Sequence, residues 1–242
     1  MTVQDDQRER ELCRTFNLHW TPGHERGGTD ATFKIKIGDR TLLVPVEVKS
    51  TTGSTVSTAR DVGIEHIRKW RSHFWIIGYY SRGGRPELQK TLCLSPNDIE
   101  PWVASIEQKI LPDFQIAASA ARRVQMADLY AICGEKASYT ISDARKLHKN
   151  QWGKADYLRE ADVLKGGEKH FSQEKMLFLL RLRSQYIAER GATLNNPHIT
   201  KTFLDSFLGT NREIYEDWSS NFKTVVQEYL AAYPDHPFVR WE

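Results

Sequence analysis

Two apolar runs flanking Gly38-Asp39 constrain the fold of this 242-residue chain more than any other feature. Ala31 to Ile37 reads Ala-Thr-Phe-Lys-Ile-Lys-Ile, which alternates with the period of a strand after Thr32. Arg40 to Lys49 reads Arg-Thr-Leu-Leu-Val-Pro-Val-Glu-Val-Lys. On a strand, Leu42, Val44, Val46 and Val48 share one face, while Leu43, Pro45, Glu47 and Lys49 share the other. Glycine tolerates the backbone of a tight turn, so Gly38-Asp39 predicts a hairpin. The start of the first strand then lies opposite the end of the second, and Asp30 falls beside Glu47 and Lys49. Pro45 lacks an N–H and predicts an edge or a bulge at its position.

That three-residue cluster carries the chemistry. Two carboxylates suit a hard divalent cation, and a neighbouring ammonium suits an attacking water or a phosphate. The run Ser50 to Thr58 is dense in small hydroxyl residues, which form loops, cap helices through Ser57 or Thr58, and hydrogen-bond phosphate oxygens. Ala59 to Ser72 reads as a helix carrying Arg60, His66, Arg68, Lys69 and Arg71. Phe74 to Tyr80 is a nearly continuous apolar run and predicts a buried central strand. Thr91 to Leu94 predicts another strand, and Asn97 to Leu111 a helix with Pro101 near its start. Upstream, Asp5 to Trp20 predicts a helix bearing Glu9 and Glu11, and His24 and Glu25 lie in the Gly-rich loop before Asp30. The order helix, hairpin, helix, strand, strand, helix is that of an α/β (mixed α+β) fold.

From Phe114 onward the periodicity is mostly helical, over Ile116 to Ile132, Ile141 to His148, Gln173 to Arg190 and Tyr215 to Tyr233. The expected organisation is a core at 1–113 and a helical region at 114–242 that binds DNA or dimerises. Residues 145–190 hold eleven Lys/Arg against six Asp/Glu, a balance that suits displacement of counterions from DNA. Ser142 is placed to cap a short helix offering Arg145, Lys149, Asn150 and Gln151, and Asn or Gln reads adenine while Arg reads guanine. Asn195, Asn196 and His198 fall in a polar loop suited to phosphate or groove contact, though Asn-Asn-Pro is also ordinary turn chemistry.

Composition narrows the class. With 7 Trp, 9 Tyr and 10 Phe the chain has ample material for a core. A net charge of +3 permits nucleic acid without demanding it. Cys13, Cys93 and Cys133 are scattered and odd in number, which argues against a zinc site or a disulfide framework and for a reducing cytoplasm. The charged start has no apolar signal segment, and no run reaches membrane-spanning length, so no membrane association is expected. Walker loops, Gly-x-Ser-x-Gly and paired zinc histidines are absent from the sequence.

Gly28-Thr29-Asp30, a hairpin, and Glu47-Val48-Lys49 followed by Ser50 resemble the core of the PD-(D/E)xK nuclease superfamily, over roughly the first hundred residues. Thr29 stands where that family usually has proline. The resemblance implies a PD-(D/E)xK-type core sheet flanked by helices, with Asp30 and Glu47 as ligands of Mg²⁺, or of Mn²⁺ in its place. It implies Lys49 as the catalytic lysine, the backbone carbonyl of Val48 as a further metal ligand, and a glutamate on the preceding helix, here Glu11, near the metal. Length and the helical second half are most similar to a type II restriction endonuclease of a prokaryotic cytoplasm. Such an enzyme cleaves both strands of double-stranded DNA to 5′-phosphate and 3′-hydroxyl ends. It acts as a homodimer, with a companion DNA methyltransferase in the same system. Contacts to DNA are expected from Ser50, Thr51, Arg60, His66, Arg145, Asn150, Gln151, Asn195, Asn196 and His198. A repair nickase, a junction-resolving nuclease and a non-catalytic DNA-binding protein remain open alternatives.

Overall fold

A computed structural model describes residues 3–20, 28–84, 86–208, 212–236 and 240–241 as a mixed α/β protein. It divides into two compact units, Met1–Lys109 with Leu194–Glu242, and Ile110–Thr193. The first break lies near the expected 113/114 boundary. Residues 194–242, expected with the helical region, belong instead to the sheet-bearing unit.

In chain order that unit begins with α1 (Val3–Thr15), β1 (His19–Trp20), β2 (Ala31–Ile37), β3 (Arg40–Thr51), β4 (Thr55–Ser57), α2 (Ile64–Trp70), β5 (Phe74–Tyr80), β6 (Leu88–Leu94) and the start of α3 (Pro96–Arg122). The second unit holds the rest of α3, α4 (Met126–Cys133), β7 (Tyr139–Thr140), α5 (Ile141–Leu147), α6 (Lys154–Glu160), β8 (Val163–Lys165), β9 (Glu168–Phe171) and α7 (Gln173–Ala192). The chain then returns with β10 (His198–Thr200), α8 (Lys201–Phe207), β11 (Glu213–Ile214), α9 (Trp218–Ala232) and β12 (Arg240–Trp241).

The main sheet runs β1-β2-β3-β5-β6-β11, with β12 pairing β3. The hairpin forms as its alternation dictates: β2 and β3 are antiparallel, with Ala31 opposite Val46 and Ile37 opposite Arg40. β3 and β5 are parallel, joined through α2, and β6 returns antiparallel. Pro45 lies in a central strand, opposite Thr32. On its other side it falls between Leu43, the last residue paired by β12, and Val46, the first paired by β5. Its missing N–H therefore meets a local gap in the ladder.

One sheet face packs Phe33, Ile35, Leu42, Val44, Val46, Val48, Phe74 and Ile76 with Leu12, Cys13 and Phe16 of α1 and with Phe222, Val226 and Tyr229 of α9. Gly78 permits the close approach of α1, because a Cβ there would stand 2.7 Å from a methyl of Leu12. On the other face Trp75 meets Trp70 of α2 at 5.5 Å and Trp102 of α3 at 6.0 Å between ring centroids.

Several boundaries differ from expectation. The helix expected from Ala59 starts at Ile64, because Val62 exchanges both backbone hydrogen bonds with Leu194. Helix α3 runs on through Pro112 to Arg122, a position where proline forgoes one helical hydrogen bond. The second unit is built around Leu129, Tyr139, Ala144, Tyr157, Phe171, Met176, Leu179 and Leu180, and its small sheet has the order β7-β9-β8.

Candidate active site

The hairpin register places Asp30, one residue before β2, beside the end of β3. Asp30 Oδ2 accepts from Lys49 Nζ at 2.8 Å and from the Val48 amide at 3.1 Å. Lys49 Nζ also lies 2.9 Å from Glu47 Oε1 and donates to the Val48 carbonyl at 3.1 Å. Two carboxylates and one carbonyl thus converge on a single ammonium, among residues the hairpin pattern had put together.

A second ammonium completes the cluster. Lys69, on α2, stands 2.6 Å from Glu47 Oε2 and 3.7 Å from Asp30 Oδ1. The α2 crossover between β3 and β5 delivers it to the face carrying Glu47. At the end of that helix His73 is buried, with Nδ1–H directed at the Lys69 carbonyl at 2.7 Å and Nε2 accepting from the Thr29 hydroxyl at 3.0 Å. His73 therefore ties the residue before Asp30 to the helix that carries Lys69.

Electrostatics follow from this packing. Burial pushes the Glu47 carboxyl up, but the ammoniums of Lys49 and Lys69 outweigh it and hold that carboxyl well below the usual carboxylate range. Burial pushes Lys49 down, and the carboxylates of Asp30, Glu47 and Glu9 more than reverse it, so Lys49 stays charged. His73 is lowered, chiefly by burial, and is neutral near pH 7. Glu47 is 2% exposed, whereas the side chains of Asp30 and Lys69 are 14% and 12% exposed. The cluster therefore opens to solvent at Asp30 and Lys69.

No protein-family model and no curated protein matches this chain.

The donor set is all oxygen: two carboxylates and the Val48 carbonyl. Among the described residues no group of three His, Cys, Asp or Glu gathers for a metal. Mg²⁺ is commonly held by one or two carboxylates with waters completing its shell, so Asp30, Glu47 and the Val48 carbonyl fit it. A cation taking those oxygens would replace the contacts now made by the two ammoniums.

The helix glutamate turned inward is Glu9, not Glu11. Glu9 is buried and its charge acts on Lys49, whereas Glu11 is exposed. The signal was in the sequence: Glu9, Leu12, Cys13 and Phe16 form one helical stripe at three- and four-residue spacing, so an acid sits on the buried face. Lys69 and His73 had no such signal, because their place depends on where α2 crosses the sheet. His24 and Glu25 lie outside the described residues.

The remaining candidates are scattered, and most hold structure. Ser50 Oγ accepts from Arg8 Nε at 3.3 Å. Thr51 is buried and closes the β3–β4 turn, donating to Thr55 O at 2.7 Å and accepting from Gly53 N at 3.0 Å. Arg60 is exposed. His66 accepts from the Gly63 amide at 3.4 Å at the start of α2 and packs with its ring tilted against Trp70. The Ser/Thr run and the Asn-Asn-Pro-His loop do meet: β10 pairs β4, Thr58 N donates to Asn196 Oδ1 at 3.1 Å, and Ser57 Oγ lies 3.4 Å from His198 Nδ1. Asn195 lines an open cavity of about 410 Å³ with Trp102, Lys109 and His198.

In the second unit the cap of α5 is Thr140, not Ser142, and the helix ends at Leu147. Lys149, Asn150 and Gln151 therefore lie beyond it. Asn150 takes a left-handed φ of 54°, and its Oδ1 accepts from Arg145 Nε at 3.0 Å. Gln151 is exposed in the same turn.

Proposed function

We propose that this chain is a Mg²⁺-dependent endonuclease of PD-(D/E)xK type that cuts double-stranded DNA at specific sequences, as a type II restriction enzyme does. One observation supports this reading above the others: Asp30, Glu47, Lys49 and the Val48 carbonyl converge within hydrogen-bonding distance at one end of a hairpin.

Bound at these oxygens, Mg²⁺ would lower the pKa of a coordinated water and offset charge on the phosphate. The chain's own groups do the rest. Asp30 and Glu47 present negative oxygens, and the Val48 amide orients Asp30. Lys49, kept charged by its carboxylate neighbours, directs a proton-bearing nitrogen at the water or the scissile phosphate oxygen. Lys69, at the solvent-facing edge, meets the incoming phosphate backbone. His73 and Thr29 fix the turn that aims Asp30.

A second reading has its own support. Two carboxylates matched by two ammoniums make a neutral buried network, which also serves as a purely structural ion-pair cluster. Incubation of long unmethylated phage DNA with the native protein, with and without Mg²⁺, separates the two. Discrete Mg²⁺-dependent fragments with 5′-phosphate ends support the nuclease. Intact DNA from several sources, under all conditions, leaves the structural cluster.

A further inference from the structure

The second unit contains a more specific architecture than a basic helical region. After α4 come β7, α5, α6, the β8–β9 hairpin and α7, and β9 pairs both β7 and β8. Helices α5 and α6 are joined by residues 148–153, where Lys149 and Asn150 both take φ of 54°. On α6 only Tyr157 is fully buried, and its hydroxyl lies 3.1 Å from His148 Nδ1. Two residues to either side, Ala155 and Arg159 point away from that core and are exposed. The hairpin turns at Gly166-Gly167, whose φ values of 57° and 83° lie in the left-handed region that favours glycine. Lys169 Nζ donates to the Leu158 carbonyl at 2.9 Å and fastens the hairpin to α6.

Charge on this surface is one-sided once internal pairs are removed. From Arg145 to His170 the sequence holds seven Lys/Arg and four Asp/Glu. Three of the acids are engaged: Asp156 with Arg159, Glu160 with Lys175, and Asp162 with Ser172 at the start of α7. Lys146, Lys149, Lys154 and Lys165 are exposed and make no ion pair among the described residues. They lie on α5, the turn, the start of α6 and the hairpin.

We propose that residues 126–192 form a helix-turn-helix module with a β-hairpin arm that binds duplex DNA, α6 entering the major groove and the hairpin lying along the phosphate backbone. Seven residues of helix span about 10 Å, which fits a groove roughly 12 Å wide. Second-helix insertion is the usual docking mode of this motif. Ala155 offers a methyl to thymine. Arg159 offers two donors to guanine in exchange for exposed pairs with Asp156 and Glu160 that are worth little. Lys149, Lys154 and Lys165 neutralise phosphates. The choice of duplex DNA rests on the function proposed above, but the claim concerns binding and not cutting.

Fluorescence anisotropy of the full-length protein in EDTA tests it, using a labelled random-sequence duplex of about 30 base pairs, or three helical turns. The native chain is expected to bind with a steep salt dependence. The variant K149A/K154A/K165A should bind about tenfold or more weakly, with a salt slope shallower by up to ~3, since each lost phosphate contact removes about 0.9. All three side chains are exposed, and an unchanged circular dichroism spectrum checks the fold. Arg159→Ala should lose preference at one base pair in selection from a randomised duplex pool. Unchanged affinity and slope in the triple variant overturn the proposal, as does tighter binding of a duplex RNA or no binding of DNA by the native chain at low salt. Binding is read in EDTA, independently of cleavage, so a failed nuclease reading leaves this result standing, and Mg²⁺-dependent cleavage retained beside an unaffected triple variant overturns this proposal alone.

Discussion

Glu47 is buried on a sheet face beside two lysines, and a buried charge is tolerable only while its partners remain. Glu47→Ala should therefore lower the unfolding free energy by about 3–5 kcal/mol in urea titration, because Lys49 and Lys69 lose their shared carboxylate. A loss within about 0.5 kcal/mol, the range of ordinary surface substitutions, would show the pairs to be incidental. The same groups set a pH profile. Glu47, depressed in the folded state, contributes stability above its unfolded value of about 4.3 and loses it as pH falls through the folded value. Lys49, raised, contributes below about 10.4 and loses it as pH climbs through the folded value. His73, lowered, adds stability above about 6.5 that is lost as pH falls. Urea midpoints should therefore hold level between about pH 7 and 8, fall in acid, first with His73 and then with Glu47, and fall above about pH 8.5, where the thiols of Cys13 and Cys93, pushed up to about 12 by burial, ionise only in the unfolded chain. A level profile down to about pH 4 would contradict these assignments. Asp30, Glu47 and Lys49 were legible because a hairpin fixes neighbours by counting. Glu9 was legible in principle from its helical stripe, and Lys69 and His73 were not, since no local pattern encodes where α2 crosses β3.

Among the elements, strands with strong alternation were readable and short exposed ones were not. β2, β3 and β5 follow their apolar patterns almost residue for residue. β8 and β9 read Val-Leu-Lys and Glu-Lys-His-Phe, with Leu164 73% exposed, and give no periodic signal. Helix α6 was hidden for a related reason: seven residues with one buried anchor are too few for a stripe. Helix α3 crosses Pro112 because its apolar positions, Ile106, Ile110, Ala117 and Ala121, keep helical spacing on both sides of it. The α1–β5 contact carries a direct prediction. Gly78→Ala drives a methyl into Leu12, which is fully buried, and should destabilise the protein by about 1–3 kcal/mol, seen as a lower thermal midpoint. An unchanged or higher midpoint would mean that α1 gives way without cost.

For the whole molecule, the sheet unit is discontinuous in sequence, closed by β10, α8, β11, α9 and β12 from the far end of the chain. Such long-range pairing leaves no local mark, which is why 194–242 read simply as more helix. No described helix is long and apolar enough to cross a membrane. A double-strand cut at a symmetric site asks for two active sites related by a two-fold axis, so the proposed function predicts a homodimer. Light scattering should give twice the 28.0 kDa of one chain, and a monomer at working concentration would favour a nickase. The most direct test of the account compares Mg²⁺-dependent cleavage of plasmid DNA by the native chain and by Lys49→Ala, with folding of both checked by circular dichroism. A nuclease site at this cluster predicts loss of cleavage by about a hundredfold or more in the folded variant. Equal rates in the two proteins, or no cleavage by the native chain on any duplex, would contradict it.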